Sequence, residues 1–454
     1  MRELRENIPD SPVLDGAENS SKYISAKTKE PQEFGTRRSL AESIFSLYIL
    51  QGLNYIIPMA TLPYLVRVLG MEKYGLIAFS QSFAQYFTQL TDYGFNFSAT
   101  RSIAKQRDNR ATVSHIVSTV LVIKLFLTIA GALILIAVIC SVVRFRQNSD
   151  FFFVAYASVV GGVLFPAWFF QGMERMRYIS VIMGISRLLG ATALILFIHR
   201  PKDALLAIGI QSIVPIVSGV SGLWIAFRRF NLYFVMPSSA DLRSALLEGW
   251  HLFISQASVS LYTNTNVFLV GLLAGNLQAG YFSAAEKLIR AAQGLIAPLS
   301  QAVFPHVNVL AARSHDLALR FTSRMLLWTG TIALSATFIF FVFARSVASL
   351  CFGNAATESA PIIRWIAFLP FLVAVSNVLG VQTMIPFGLD KQFSRILIVS
   401  GFINVSLAIP LIRIFAAQGA GASVLCTEII VTTTMIFVLH RHNIPIYVRG
   451  RLSA

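Results

Sequence analysis

The chain has 454 residues, of which 55% are hydrophobic and only 13% charged, and its mean hydropathy is +0.67. That balance excludes an ordinary soluble enzyme and points to an all-α polytopic membrane protein. The net charge of +16 lies in short runs between apolar segments rather than in a basic domain, which argues against nucleic acid and for positive-inside topology with anionic lipid contact.

Residues 1–40 are polar and charged in both signs, with no apolar core. They read as a disordered cytoplasmic tail and carry no cleavable signal peptide. Apolar runs then recur between short polar breaks and predict about twelve transmembrane helices. These lie at approximately 43–66, 75–98, 115–143, 151–171, 179–198, 204–227, 250–273, 281–305, 325–344, 362–387, 395–415 and 419–439. The first six make an N-terminal bundle over 41–228 and the last six a C-terminal bundle over 250–440, with a short tail at 441–454. Between the bundles, in 229–249, Pro237-Ser238-Ser239-Ala240-Asp241-Leu242 is a helix start, with a polar cap after proline and an apolar-periodic run through Leu246 and Leu247. It predicts a short amphipathic linker helix on the inner membrane surface. With both termini inside, about 24 cations fall on the cytoplasmic face against about nine on the other.

The two halves look related. Leu65-Val66-Arg67-Val68-Leu69-Gly70 closes the first span ahead of Gly75, and Leu269-Val270-Gly271-Leu272-Leu273-Ala274 closes the seventh ahead of Gly280. Six spans per half make them parallel repeats about an axis along the membrane normal.

Charges inside the spans are few: Asp92, Lys124, Arg187, Glu286, Lys287, Arg290 and Glu428. At about 100° per residue, Glu286, Lys287 and Arg290 share about a third of the helix circumference. One such cation facing lipid at the bilayer centre costs roughly 2.5–3.5 kcal/mol, so this face is expected to line a polar, partly cationic interior. Glu286 and Arg290 are also spaced to pair at i,i+4. Lys124 falls near the midplane, where it lines a cavity or bridges Asp92, Glu286 or Glu428. Asp92 is an ion or proton site or the partner of a neighbouring cation. Arg67, at a span end, is expected to snorkel. Gln81, Gln85 and Gln89 lay a polar stripe along the second span, suited to sugar hydroxyls or to interhelical bonding.

No P-loop, HExxH or nucleophile–base arrangement appears, so neither ATP hydrolysis nor catalysis is expected. Cys140, Cys351 and Cys426 lie outside any CxxC or His-rich setting, and no metal site or disulfide framework is expected.

The run Leu62-Pro63-Tyr64-Leu65-Val66-Arg67-Val68-Leu69-Gly70 with Tyr74-Gly75, then Asp92-Tyr93-Gly94-Phe95-Asn96 and Ala99-Thr100-Arg101, and later Ala285-Glu286-Lys287 with Arg290, Pro298 and Pro305, resembles the bacterial polysaccharide flippases. These belong to the multidrug/oligosaccharidyl-lipid/polysaccharide exporter (MOP) superfamily. The resemblance covers about residues 40–440 and is most specific in its first stretch, while the charged tail exceeds what the family shows. It implies two six-helix bundles around a central cavity in the bacterial inner membrane. It also implies transfer of undecaprenyl-pyrophosphate-linked oligosaccharide to the outer leaflet for O-antigen or exopolysaccharide synthesis. No cofactor is implied beyond an ion gradient, H+ or Na+, and the implied partners are the lipid-linked oligosaccharide, membrane lipids and other polysaccharide assembly proteins. On this expectation Lys124, Arg187, Lys287, Arg290, Gln81 and Gln85 bind substrate, and Asp92, Glu286 and Glu428 couple an ion. A multidrug or small-molecule antiporter of the same superfamily is the main competing reading. A membrane glycosyltransferase or polymerase is disfavoured because no outer loop is long, and nothing specific supports a channel or scaffold.

Overall fold

The computed structural model describes residue 52 and residues 55–294 and 297–445, and no strand occurs among them. The expected 1–40 tail, the first part of the 43–66 span and the end of the 441–454 tail lie outside the described residues.

The first half runs α1 (Tyr55–Leu69), α2 (Met71–Asp92), α3 (Phe95–Gln106), α4 (Arg110–Ser141), the one-turn α5 (Val143–Arg146), α6 (Ser149–Leu164), α7 (Ala167–Gly172), α8 (Met176–Phe197) and α9 (Ala204–Arg229). The second half runs α10 (Ser239–Ala274), α11 (Asn276–Gly294), α12 (Ala297–Arg313), α13 (His315–Val342), α14 (Ala344–Phe352), α15 (Ala356–Ile366), α16 (Leu369–Leu379), a π-helical turn at Gly380–Met384, and α17 (Asp390–Arg441).

By length and apolarity, 7 helical segments among the described residues are fit to cross a membrane. The chain is therefore a multi-pass all-α membrane protein. α2 and α11 fall outside that group because each carries polar side chains within its length, Gln81, Gln85 and Gln89 on one and Glu286, Lys287 and Arg290 on the other. Elsewhere the outward faces are apolar, as at Leu125, Phe126, Ile129 and Leu133 of α4 and Trp328 of α13, so lipid meets side chains while the backbone polar groups are satisfied within helices.

Several expected spans are broken. α6 stops before Pro166, which has no N–H to donate, and Phe165 is pushed to an extended φ of −84° and ψ of 107°. α2 and α3 part at Tyr93 and Gly94, both at positive φ. The expected 362–387 span starts earlier, as α14 to α16 and the π turn. α17 is two helices that meet at Ala416, φ 50° and ψ −127°, between the two expected spans.

The linker differs from expectation. Its capping box forms: Asp241 N donates to Ser238 Oγ at 3.2 Å, and Ser238 N to Asp241 Oδ2 at 2.9 Å. The Ser238 hydroxyl also holds the Asp241 carboxyl below the usual carboxylate range. The helix that starts there is not short, because α10 continues unbroken for 36 residues. Gly249 lacks the proline or second breaker needed to end it and stays helical.

Two glycine turns organise the contact between halves. Gly70 (φ 79°) joins α1 to α2, and Gly275 (φ 103°) joins α10 to α11, conformations glycine adopts without steric penalty. Five residues beyond each turn, α2 and α11 cross at Gly75 and Gly280. A Cβ on Gly75 would lie 1.8 Å from the Asn276 carbonyl oxygen, and one on Gly280 would lie 2.2 Å from that of Met71. The same offset that carries Gly75 onto Gly280 carries Gln81 onto Glu286 and Gln85 onto Arg290.

Two arginines of the first half secure this end. Arg144 Nη1 donates to the Leu272 carbonyl at 2.8 Å, in the last turn of α10, and its guanidinium sits 5.7 Å from the Phe79 ring centre. Arg67, rather than simply snorkelling, donates to the Leu350 carbonyl near the end of α14. Both cations thus meet the negative ends of helices.

Candidate functional site

α11 stands between two cavities, and its charges divide between them. Lys287 enters a 360 Å³ cavity that also takes Gln81 of α2, Arg187 of α8, Gln211 of α9 and Thr61 of α1. Its Nζ lies 5.2 Å from the Tyr74 ring centre, a cation–π contact. Gln81 Nε2 donates to Gln211 Oε1 at 3.1 Å. Two cations and two amides therefore converge, one of the cations contributed by the second half to a cavity otherwise walled by the first.

Glu286 and Arg290 line a separate cavity of 290 Å³ within the second half, with Asn266, Gln293, Ser376, Asn377 and Glu428. Arg290 Nη2 donates to Glu286 Oε1 at 2.8 Å and also to the Thr263 carbonyl. Ser376 Oγ donates to Glu428 Oε1 at 2.8 Å. Glu428 is 3% exposed and makes no ion pair among the described residues. Asn266 Oδ1 and Asn377 Oδ1 are buried acceptors without a donor among the described residues.

The single three-charge face expected on this helix is thus corrected. Glu286 and Lys287 are about 100° apart, and at a helix wedged between two cavities that angle is enough to send them to opposite sides.

Lys124 takes the second of its open readings. Its Nζ lies 2.9 Å from Asp92 Oδ1, and the two side chains are 1% and 30% exposed. The ammonium joins α4 to the end of α2, and Asp92 is held by the same bond. Gln85, a turn beyond Gln81, is exposed and lies outside both cavities. Gln211, Ser376 and Asn377 were not singled out by sequence, and Tyr74 only as part of a motif, without a role. Gln211 carries the same signal as Gln81, an amide inside an apolar run.

The bridge makes a prediction. Removing Lys124 leaves the Asp92 carboxylate uncompensated, and because Asp92 is 30% exposed the cost falls below about 3–5 kcal/mol, the cost for a fully buried pair. Lys124→Met is expected to lower both the inserted amount and the thermal midpoint in detergent, and Lys124→Met/Asp92→Asn to recover much of both. Normal accumulation of Lys124→Met with transport abolished would instead assign Lys124 to a cavity.

Solved structures share this fold. An inward-facing multidrug resistance transporter of the MATE family, MOP superfamily, aligns with a TM-score of 0.63 at 14% identity, over 86% of this chain and 98% of that one. A MOP-superfamily transporter from Pyrococcus furiosus, whose binding pocket is described as reversed in polarity, aligns at 0.59 and 14% identity, over 89% and 96%. At 14% identity these likenesses show that the fold is shared.

Sequence narrows the class. A family model described as "Polysaccharide biosynthesis protein" matches residues 40–310, more than half of the chain, and the chain belongs to this family. A protein of Escherichia coli (strain K12) named "Putative O-antigen transporter" is 30% identical over 406 residues, 89% of this chain and 98% of that protein. One of the same name from Shigella dysenteriae is 28% identical over 400 residues, 87% and 99%.

Proposed function

We propose that this transporter is a flippase for undecaprenyl-pyrophosphate-linked oligosaccharide repeat units, moving them from the inner to the outer leaflet of the bacterial cytoplasmic membrane. The observation that carries the reading is the cavity where Arg187 and Lys287 meet beside Gln81 and Gln211. Paired cations suit a pyrophosphate, and amides suit sugar hydroxyls, each of which costs a few kcal/mol if left unpaired in hydrocarbon. The names of the relatives point the same way.

In this reading twelve helices form two six-helix bundles, over 41–228 and 250–440, both termini are cytoplasmic, and the Gly70 and Gly275 turns face outward. The contact of Gly75 with Gly280 then closes the outer side, and alternating access opens it. The second cavity serves ion coupling. Among the described residues Glu428 has one hydroxyl donor and no cation, a costly setting for a buried carboxylate. The unpartnered oxygens of Asn266 and Asn377 beside it suit a hard cation such as Na+, and a proton on Glu428 is the other way to remove the charge. Glu286 and Asp92 are already held by Arg290 and Lys124, so coupling falls first to Glu428.

A multidrug or small-molecule antiporter is the second reading, favoured by the fold shared with MATE transporters and by the acidic groups of that same cavity. Gene deletion separates the two. The flippase reading expects loss of surface polysaccharide and a lipid-linked oligosaccharide accumulating on the inner leaflet. Normal polysaccharide together with new sensitivity to cationic drugs would establish the antiporter instead.

A further inference from the structure

The cavity that holds Arg187 and Lys287 has a fixed hydrogen-bonding polarity, and one backbone oxygen sets it. Gln211 Nε2 donates to the Ala207 carbonyl at 3.2 Å, one turn back on α9. A carbonyl oxygen accepts and never donates, so the Gln211 amide has one orientation there, with Oε1 turned away from Ala207. Gln81 Nε2 donates to that Oε1 at 3.1 Å, which fixes the orientation of Gln81 as well. Gln81 keeps Oε1 and one hydrogen of Nε2, and its Oε1 has no donor among the described residues.

Two further groups on the same lining are left as acceptors. Pro215 has no N–H, so the Gln211 main-chain carbonyl, one turn before it in α9, lacks its helical donor. Thr61 Oγ1 donates to the Ile57 carbonyl at 3.0 Å and has only lone pairs left to offer. Thr61, Gln81, Gln211 and Pro215 all line this cavity, and among the described residues no carboxylate does. The counterpart of Gln81 in the second half is Glu286, which lines the other cavity and is tied to Arg290.

Gln81 and Lys287 also stand at one level. From the crossing of Gly75 with Gly280, each lies about 9–11 Å further along its own helix. A pyrophosphate held between Arg187 and Lys287 is ionised and offers acceptors. It suits the cations, which have only donors, and gives Gln81 Oε1 nothing. A sugar joined to that pyrophosphate brings hydroxyl protons to the same level.

We propose that Gln81, oriented through Gln211 by the Ala207 carbonyl, accepts a hydrogen bond from a hydroxyl of the first sugar and so selects the glycosylated carrier over the bare polyprenyl pyrophosphate. Gln81 sets the specificity and Gln211 is its positioning residue. The proposal rests on the flippase reading for the anion and adds discrimination among carriers that share that anion. Bare carrier leaves an enclosed acceptor unpaired, which sets the expected preference at about tenfold.

The test uses the full-length protein in proteoliposomes and two water-soluble probes with the same headgroup, geranyl pyrophosphate and geranyl glucosyl pyrophosphate. Binding is read as protection of Lys287 from an amine reagent. In the unaltered protein the glucosyl probe is expected to protect at about tenfold lower concentration. Gln81→Leu and Gln211→Met are each expected to bring the two half-protecting concentrations together. Gln211→Glu, whose carboxylate still accepts from Gln81 Nε2, is expected to keep them apart. Among monodeoxyglucosyl probes, one should protect the unaltered protein no better than geranyl pyrophosphate, yet match the glucosyl probe in Gln81→Leu. Equal protection by the two probes in the unaltered protein, a gap that survives Gln81→Leu, or one that Gln211→Glu fails to keep, overturns the selection and leaves the anion site standing. If neither probe protects Lys287, the flippase reading loses its headgroup site and the selection falls with it.

Discussion

Gly75→Ala is expected to hold α2 and α11 apart at their crossing and to reduce transport about five- to 150-fold. The added methyl would stand 1.8 Å from the Asn276 carbonyl oxygen and 2.6 Å from Gly280 N. Both are backbone atoms of a helix, so no rotamer change relieves the clash. Overpacking of this kind costs about 1–3 kcal/mol, and each 1.4 kcal/mol moves a two-state ratio about tenfold. The penalty falls only on the conformer in which this end is closed, because separating the helices removes the contact. A transporter that must visit both conformers is therefore trapped, not unfolded. Spin labels at Lys73 and Leu277, which flank the crossing, measure this directly. The unaltered protein should give a short-distance population and Gly75→Ala a long one. An unchanged distance distribution with normal transport would show that this crossing is not a gate.

That crossing was legible in outline. The spacing of Gly70 to Gly75 repeats at Gly275 to Gly280, and the apolar runs around both marked them as matching places in two halves. The helix start at Ser238 and the break near Ala416 were also visible, since capping chemistry and gaps in an apolar run are local signals. What stayed hidden depends on neighbours. Glu286, Lys287 and Arg290 were read as one face toward one interior, but a helical wheel knows nothing of how many cavities a helix borders. Lys124 had three acids within plausible reach, and only packing of α4 on α2 selected Asp92. Arg67 looked like a residue reaching for the membrane surface, because the α14 carbonyl it meets is distant in sequence. The length of α10 was missed for a similar reason: a lone glycine weakens a helix without deciding whether it ends.

Neutralising either cation of the shared cavity is expected to cost about ten- to a hundredfold in transport, since a hydrogen bond to a charged group contributes about 1.5–3 kcal/mol. The variants are Lys287→Gln and Arg187→Gln, each measured in proteoliposomes against the amount of inserted protein. The double variant is the sharper measurement. Arg187 belongs to α8 and Lys287 to α11, so the two lie on opposite halves and converge only when those halves are together at the Gly75 crossing. If both hold one pyrophosphate, the second loss should add little to the first, because the anion is already released. An anion bridging the halves also favours the closed conformer, so pyrophosphate should raise the short-distance population of the Lys73 and Leu277 labels, and Lys287→Gln should abolish that response. Strictly additive losses, or a label response that survives Lys287→Gln, would mean that the two cations act on separate tasks. The link between substrate binding and closure would then have to be sought in the cavity of Glu428.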